Sequence, residues 1–206
     1  MKKLISLICA AVFAVCGMTS CAQTSKTEKS ANMDNKKILI VYFSRTGENY
    51  GVGNISKGNT HIIADILAAE TGGETFEIKP VNAYPHEYQA CVNIARNEKD
   101  TNARPTIQDD IRIEDYDVIF LGYPNWWGDM PMPVYTFLEK HNWSGKTIIP
   151  FCTHEGSGLS NTENYIRNTC KGADVKSGLA VRGNTAQNSR TEAQKTVHSW
   201  LNKLAL

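Results

Sequence analysis

The chain reads Ile38-Leu39-Ile40-Val41-Tyr42-Phe43 and passes directly into the turn Ser44-Arg45-Thr46-Gly47. Six apolar residues, mostly β-branched or aromatic, predict a buried strand. After an interruption the turn resumes at Asn59-Thr60, where a helical pattern begins. Hydroxyls, backbone N–H groups and the partial positive charge of a helix start then converge on one point. The stretch therefore predicts a strand–turn–helix unit that holds a phosphate group.

On either side of this unit, short apolar runs alternate with longer helical patterns, as in strand–helix units around a parallel sheet. The predicted strands are 38–43, 74–79, 118–123, 147–153 and 175–181. The first, third and fourth are almost continuously apolar, as central strands are, whereas the second and fifth alternate with polar residues. We expect an α/β fold with a doubly wound, five-stranded parallel sheet in the order 2-1-3-4-5.

Helices are expected on both faces of this sheet. Their predicted ranges are 60–70, 87–97, 134–140, 161–170 and 190–204. Gly72-Gly73 follows the first helix, where a left-handed C-cap residue is wanted, and Pro131 and Pro133 stand at the start of the third. One domain over residues 36–206 accounts for the chain after its N-terminal segments.

Residues 1–21 have the layout of a bacterial lipoprotein signal peptide. Lys2 and Lys3 precede an apolar run, and small residues then lead to Cys21, the expected lipidation site. The run is too short to span a bilayer stably, which disfavours a retained transmembrane helix. We expect membrane anchoring through lipidated Cys21, on the periplasmic or cell-surface side. A translation start at Met33 would instead give a cytoplasmic, unlipidated form.

Residues 22–35 are polar and read as a flexible tether. Removing residues 1–21 takes away two lysines and no acids, so the remaining chain carries 20 basic and 21 acidic residues. A net charge near zero argues against nucleic acid as a partner.

Six cysteines occur in the chain, of which three lie within residues 1–21. The remaining three are Cys91, Cys152 and Cys170. An odd number without C-x-x-C spacing disfavours a disulfide framework or a zinc site, although one pair among the three stays open.

Three loops should line one site, because ligands of open parallel sheets bind beyond the carboxyl ends of the strands. The first is the phosphate turn, residues 44–47. The tryptophan loop, residues 122–131, reads GYPNWWGDMP, and the glycine loop, residues 153–158, reads THEGSG. Trp126 and Trp127 are adjacent at a strand end and cannot both point into the core, so at least one indole should be exposed. An exposed indole offers a flat face to an aromatic ligand.

These three elements, in this order at three strand ends, resemble the flavodoxin family, in its short form without the long insertion in the last strand. The resemblance covers residues 37–206. It implies noncovalent FMN whose phosphate rests on the strand–turn–helix residues Ser44, Arg45, Thr46, Gly47, Asn59 and Thr60.

The resemblance also implies contacts for the isoalloxazine ring, which would lie between the tryptophan loop and the glycine loop. Trp126 or Trp127 would stack on the ring and the loop backbone would meet the flavin edge. The residues implied are Pro124, Asn125, Trp126, Trp127 and Gly128, with Thr153, His154, Glu155, Gly156 and Gly158 closing the pyrimidine side.

Residues 48–58 depart from the family pattern, which passes directly from Thr-Gly to Asn-Thr. The segment contains three glycines and Tyr50. Loop insertions cost little free energy, so both a lid over the cofactor and a functionless decoration stay open.

The function implied is redox chemistry, either electron transfer between proteins or NAD(P)H-linked reduction of a quinone or similar small acceptor. One alternative is a lipoprotein that binds flavin without turning it over. Another is a hydrolase built on Cys152 with His154 as base, although alternation along a strand does not by itself bring residues i and i+2 into hydrogen-bond contact. A buried structural cysteine and a flavin-loop histidine are the simpler interpretations.

Overall fold

The structure, a computed structural model, describes residues 35–204. The predicted signal peptide with Cys21, almost all of the tether and Met33 lie outside the described residues. Within residues 35–204, no helix combines the length and the apolar character that crossing a membrane requires.

A parallel sheet forms the centre of the fold. Its strands are β1 (Ile38–Tyr42), β4 (Glu74–Glu77), β5 (Val118–Pro124), β6 (Thr147–His154), β7 (Asp174–Val175) and β8 (Leu179–Arg182). The order is β4-β1-β5-β6, and both β7 and β8 pair with β6. The predicted order 2-1-3-4-5 is confirmed, with β7 and β8 together in the place of the fifth strand.

The fifth strand is divided because its partner contains a proline. Val175 pairs with Ile148, but Leu179 pairs with Phe151, so one extra residue stands opposite Pro150. Proline has no N–H to donate to a neighbouring strand. The continuous strand predicted over residues 175–181 was therefore wrong, and a bulge separates its two halves.

Helices cover both faces of the sheet, as predicted. They are α1 (Asn59–Thr71), α2 (Tyr88–Asp100), α3 (Met132–Glu139), α4 (Thr162–Thr169), α5 (Gly183–Asn188) and α6 (Arg190–Leu201). One hydrophobic cluster joins the sheet to α1, α5 and α6, and another joins its opposite face to α3 and α4. Helix α2 packs beside α3. The Gly72 C-cap is left-handed, with φ 71°. Helix α5 was not predicted.

A second, two-stranded sheet lies in the segment that departs from the family pattern. Strands β2 (Gly47–Asn49) and β3 (Gly53–Ile55) form an antiparallel hairpin, which we call the β2–β3 hairpin. Gly51 and Gly53 have φ of 77° and 72°, a region that glycine reaches without strain. The interruption between the phosphate turn and α1 is therefore ordered secondary structure.

Candidate functional site at the carboxyl edge of the sheet

The three loops lie together at one edge of the sheet. Strands β1, β5 and β6 are parallel neighbours, so the loops that follow them emerge side by side. The chain leaves β1 for β4 on one side and returns to β5 on the other, which makes the gap between β1 and β5 a topological switch point.

The phosphate turn is held against the start of α1. Ser44 Oγ accepts a hydrogen bond from the N–H of His61 at 3.1 Å. A Cβ at Gly58 would collide with Ser44 Oγ and the backbone of Arg45, so only glycine allows this approach. Among residues 35–204, nothing accepts a hydrogen bond from the N–H groups of Asn59 and Thr60. Two free N–H donors at a helix start form a suitable anion-binding site.

The hydroxyl of Thr60 has a different role from the one the resemblance implied. Thr60 Oγ1 and Thr153 Oγ1 are 2.8 Å apart, and both side chains are buried. The pair ties α1 to the end of β6. What Thr60 offers to an anion is its backbone N–H, whereas the exposed Thr46 has its hydroxyl available.

The guanidinium of Arg45 lies against the loop that leads into α2. It donates to the carbonyl oxygens of Pro85 and His86 at 2.6 and 2.8 Å and also to that of Glu48. Its Nε is buried and has no hydrogen-bond partner among the described residues. Arg45 therefore fixes the start of β2 against the loop that leads into α2.

The two indoles of the tryptophan loop differ in exposure. Trp126 packs edge-on against Phe43 and Tyr84, with centroids 5.4 and 5.1 Å apart. Trp127 is 45% exposed, and the guanidinium of Arg96 covers its ring at 4.6 Å. The prediction that at least one indole is exposed is confirmed.

The turn that carries Trp127 is strained. Trp127 has φ 57° and Gly128 has φ 74°, while the backbones of Trp126 and Asp129 bond each other at 2.9 and 3.0 Å. A bulky residue at positive φ is uncommon and is typical of functional sites. The hydrogen-bonded turn imposes this conformation and keeps the indole of Trp127 partly exposed.

Asn125 joins the tryptophan loop to the glycine loop. Its Nδ2 donates to Gly158 O at 2.9 Å and to Ser160 Oγ at 2.8 Å, and its Oδ1 accepts from Gly128 N at 3.0 Å. Its backbone N–H donates to Thr153 O. These bonds fix the two loops relative to each other, beside Pro124 at the end of β5.

A cleft of about 260 Å³ opens between the hairpin, α2 and the tryptophan loop. Apolar and aromatic side chains form most of its wall, together with three polar side chains. The lining residues are Arg45, Asn49, Tyr88, Cys91, Val92, Ala95, Asn125, Trp126 and Trp127. A cleft of this composition suits a planar aromatic group with a few hydrogen-bonding atoms.

In the glycine loop, the Nδ1 of His154 accepts a hydrogen bond from Gly156 N at 2.9 Å. Burial and the nearby Arg182 lower the pKa of this ring, which favours its neutral form. The proton of the neutral ring is therefore on Nε2. Gly156 and Gly158 have φ of 137° and 61°, so the backbone of this loop adopts conformations that favour glycine.

Glu155 contacts helix α5 instead of the tryptophan loop. Its Oε1 accepts from Asn184 N at 2.7 Å, and Gly183 leaves room for this carboxylate and for the side chain of Asn59. Sequence analysis missed α5 at this edge, because the helix has only six residues and no side chain caps its start.

Cys152 is unsuited to nucleophilic catalysis. Its side chain is 1% exposed, and burial raises the pKa of its thiol. Its Sγ contacts the carbonyl of Gly158, while His154 is engaged with Gly156. These contacts contradict the hydrolase alternative. Cys91 and Cys170 are also buried free thiols, and in residues 35–204 no group of three His, Cys, Asp or Glu side chains is placed to hold a metal.

Comparison with known proteins identifies the class to which this site belongs. Residues 37–204 match the flavodoxin family. The chain belongs to this family.

Solved structures agree with the assignment. A candidate flavoprotein from Bacteroides eggerthii is 30% identical, with a TM-score of 0.64 over 84% of this chain and 99% of that one. A second, from Bacteroides uniformis, is 27% identical over 82% and 99%, with a TM-score of 0.63. A Lactobacillus acidophilus flavoprotein in complex with FMN is 24% identical over 76% and 99%, with a TM-score of 0.56. A search of curated proteins gave no match.

Proposed function

We propose that the protein binds FMN noncovalently and transfers electrons through it. One observation carries the proposal: the phosphate turn, the start of α1, the tryptophan loop and the glycine loop meet at the switch point and are joined by hydrogen bonds. The links are the bond between Ser44 and His61, the Thr60–Thr153 hydroxyl pair and the side chain of Asn125. Membership of the flavodoxin family and the FMN complex of the L. acidophilus relative support it.

The phosphate of FMN would be held at the start of α1. The donors are the N–H groups of Asn59 and Thr60 and the hydroxyl of Thr46. Gly58 packs directly against Ser44 and Arg45, and this contact keeps the phosphate turn close to the start of α1. A helix of 13 residues adds its dipole to this anion-binding site.

The isoalloxazine ring would lie along the tryptophan loop. Trp127 has one face covered by Arg96, and its other side borders the aromatic cleft. It is the better candidate for stacking, because Trp126 is already packed against Phe43 and Tyr84. Thr153, His154, Gly156 and Gly158 would close the pyrimidine side, with polar backbone groups held by Asn125.

FMN supplies the capacity to accept one or two electrons, and the protein sets how easily it does so. In this chain the cleft is lined by the side chain of Arg45 and by the apolar side chains of Cys91, Val92 and Ala95. A fixed positive charge favours an anionic ring, whereas an apolar wall disfavours it, so the two together would set the potential of a bound flavin.

The physiological reaction is either electron transfer between proteins or reduction of a small acceptor such as a quinone by NAD(P)H. Trp127, Tyr88 and Tyr50 are exposed around the cleft, which leaves the ring edge accessible to either partner.

Titration of the FMN-free protein with FMN, followed by anaerobic reduction, tests the proposal. We expect stoichiometric binding and a bound flavin that cycles on addition of NAD(P)H or a one-electron donor. A protein that binds FMN but cannot be cycled would support the alternative of a flavin-binding lipoprotein. Absence of binding would refute the proposal.

We further propose that the domain is tethered to a membrane through lipidated Cys21. The signal layout of residues 1–21 supports this, together with the polar segment 22–35. Metabolic labelling with a radioactive fatty acid should mark the expressed chain and should fail for Cys21→Ser. Labelling of neither chain, with both in the soluble fraction, would favour the start at Met33.

A further inference from the structure

The β2–β3 hairpin spans the carboxyl edge of the sheet from one face to the other. At one end Glu48 Oε2 accepts from Tyr88 N at 3.1 Å, at the start of α2. At the other end Gly51 O accepts from Asn184 Nδ2 at 3.5 Å, at the start of α5. Helix α5 packs on the cluster that contains α1, whereas α2 packs beside α3 on the opposite face. The hairpin therefore crosses the edge at which the phosphate turn and the start of α1 lie.

The tip of the hairpin lies against one carboxylate. Gly51 lies directly against the side chain of Glu155, so that a Cβ there would be 3.0 Å from the carboxyl carbon. The same carboxylate accepts from Asn184 N at 2.7 Å. Glu155 thus fixes the position of α5, and α5 in turn holds Gly51 through Asn184.

Few apolar contacts hold the hairpin in place. Of its residues only Gly47 and Ile55 are buried, and Tyr50 at the turn is 67% exposed. Its other links are the contact between the rings of Tyr50 and Tyr88, whose centroids are 6.2 Å apart, and hydrogen bonds such as that from Glu48 N to His86 O at 2.9 Å. Segments with few buried apolar contacts open at low free-energy cost. Gly47, at the base of the hairpin, and Gly53, beside its turn, both have positive φ, which glycine reaches without strain.

We propose that the β2–β3 hairpin is a gate over the FMN phosphate and that Glu155 is the positioning residue that holds it shut. The identity of what the gate retains rests on the proposed function, but the way in which the hairpin is held does not. A gate changes the rates of ligand entry and release, whereas a direct ligand contact changes mainly the rate of release.

The kinetic test compares Glu155→Ala with the unmodified full chain by stopped-flow FMN fluorescence. We expect both the association and the dissociation rate constants to rise about tenfold, which corresponds to about 1.4 kcal/mol, with the Kd unchanged. A rise in the dissociation rate constant alone would make Glu155 a direct FMN contact and overturn the proposal. The matched control is Glu192→Ala, an exposed carboxylate in the first turn of α6, which should change neither rate constant.

A second measurement does not need FMN. Hydrogen exchange of residues 48–55 in the FMN-free chain should be faster in Glu155→Ala and unchanged in Glu192→Ala. Equal exchange in all three proteins would overturn the proposal. If the unmodified chain does not bind FMN, the proposed function fails, while this measurement still decides whether Glu155 holds the hairpin.

A second variant keeps the proposal testable if Glu155→Ala does not fold. Asn184→Ala removes the side-chain bond to Gly51 O but keeps the carboxylate of Glu155. It should increase both rate constants and the hydrogen exchange in the same direction, by a smaller factor. No change in either measurement would show that the tip contact does not control opening.

Discussion

The hydroxyl oxygens of Thr60 and Thr153 are 2.8 Å apart in the interior, and they join the start of α1 to the end of β6. Neither hydroxyl has access to water, so each depends on the other for a hydrogen bond. The position of the helix start depends on this pair, and so does the position of the anion-binding N–H groups of Asn59 and Thr60.

Replacing both members of the pair should destabilise the fold by less than the sum of the two single replacements. Thr60→Val leaves the Thr153 hydroxyl buried and unpaired, and we expect the free energy of unfolding to fall by about 1–3 kcal/mol. The double variant with Thr153→Val should lose less than the sum of the single losses. Urea unfolding of the four proteins measures the coupling. Strict additivity would show that the bond contributes nothing.

The phosphate seat can be tested with two ligands that differ only in the phosphate. Thr46→Ala should weaken FMN binding about tenfold and leave riboflavin binding unchanged, because only FMN carries the group that the hydroxyl would contact. Fluorescence titrations give both affinities. Thr101→Ala, at the far end of α2, is the control and should alter neither. Equal losses for the two ligands would place the phosphate elsewhere.

The two tryptophans should separate cofactor binding from stability. Trp127→Ala should weaken FMN binding by about 1–3 kcal/mol, because an exposed stacking face is lost. Trp126→Ala should instead lower the free energy of unfolding by about 3 kcal/mol, since its indole packs against Phe43 and Tyr84. FMN titration and urea unfolding of both variants are required. Unchanged FMN affinity in both would assign both indoles to the fold alone.

The lowered pKa of His154 predicts how stability depends on pH. The folded protein keeps this ring neutral, so the stabilisation is fully present above the unfolded value of about 6.5 and is lost as the pH falls below it towards the lower folded pKa. His154→Gln should therefore lose less stability on going from about pH 7.5 to 5.5 than the unmodified protein. Urea midpoints of the FMN-free proteins measure this. Equal losses of stability in the variant and the unmodified protein would show that other groups determine the stability at acidic pH.

Strand order, the two helical layers and the meeting of three loops could be predicted because they follow from apolar runs and from strand polarity. The contact of Glu155 with helix α5 could not be predicted in this way. The partner residue Asn184 is 29 positions away and lies on a helix of only six residues, which leaves almost no periodic signal. The contact depends on how the edge of the sheet folds, and no local pattern records it.

The β2–β3 hairpin was missed for a different reason. Its strands are three residues long, and alternation cannot be recognised over so short a range. Gly51 and Gly53 were nevertheless a legible turn signal. Residues 48–58 could be identified as an addition to the family pattern, but their attachment to α2 and α5 required the tertiary structure.

The break opposite Pro150 has a consequence for the protein in a crowded setting. At this side of the sheet the chain presents a strand of two residues and another of four, out of register by one position. A neighbouring molecule needs a continuous row of free N–H and C=O groups on which to add a strand. The interrupted edge does not offer such a continuous row. The proline that divides the strand therefore also disfavours edge-to-edge aggregation.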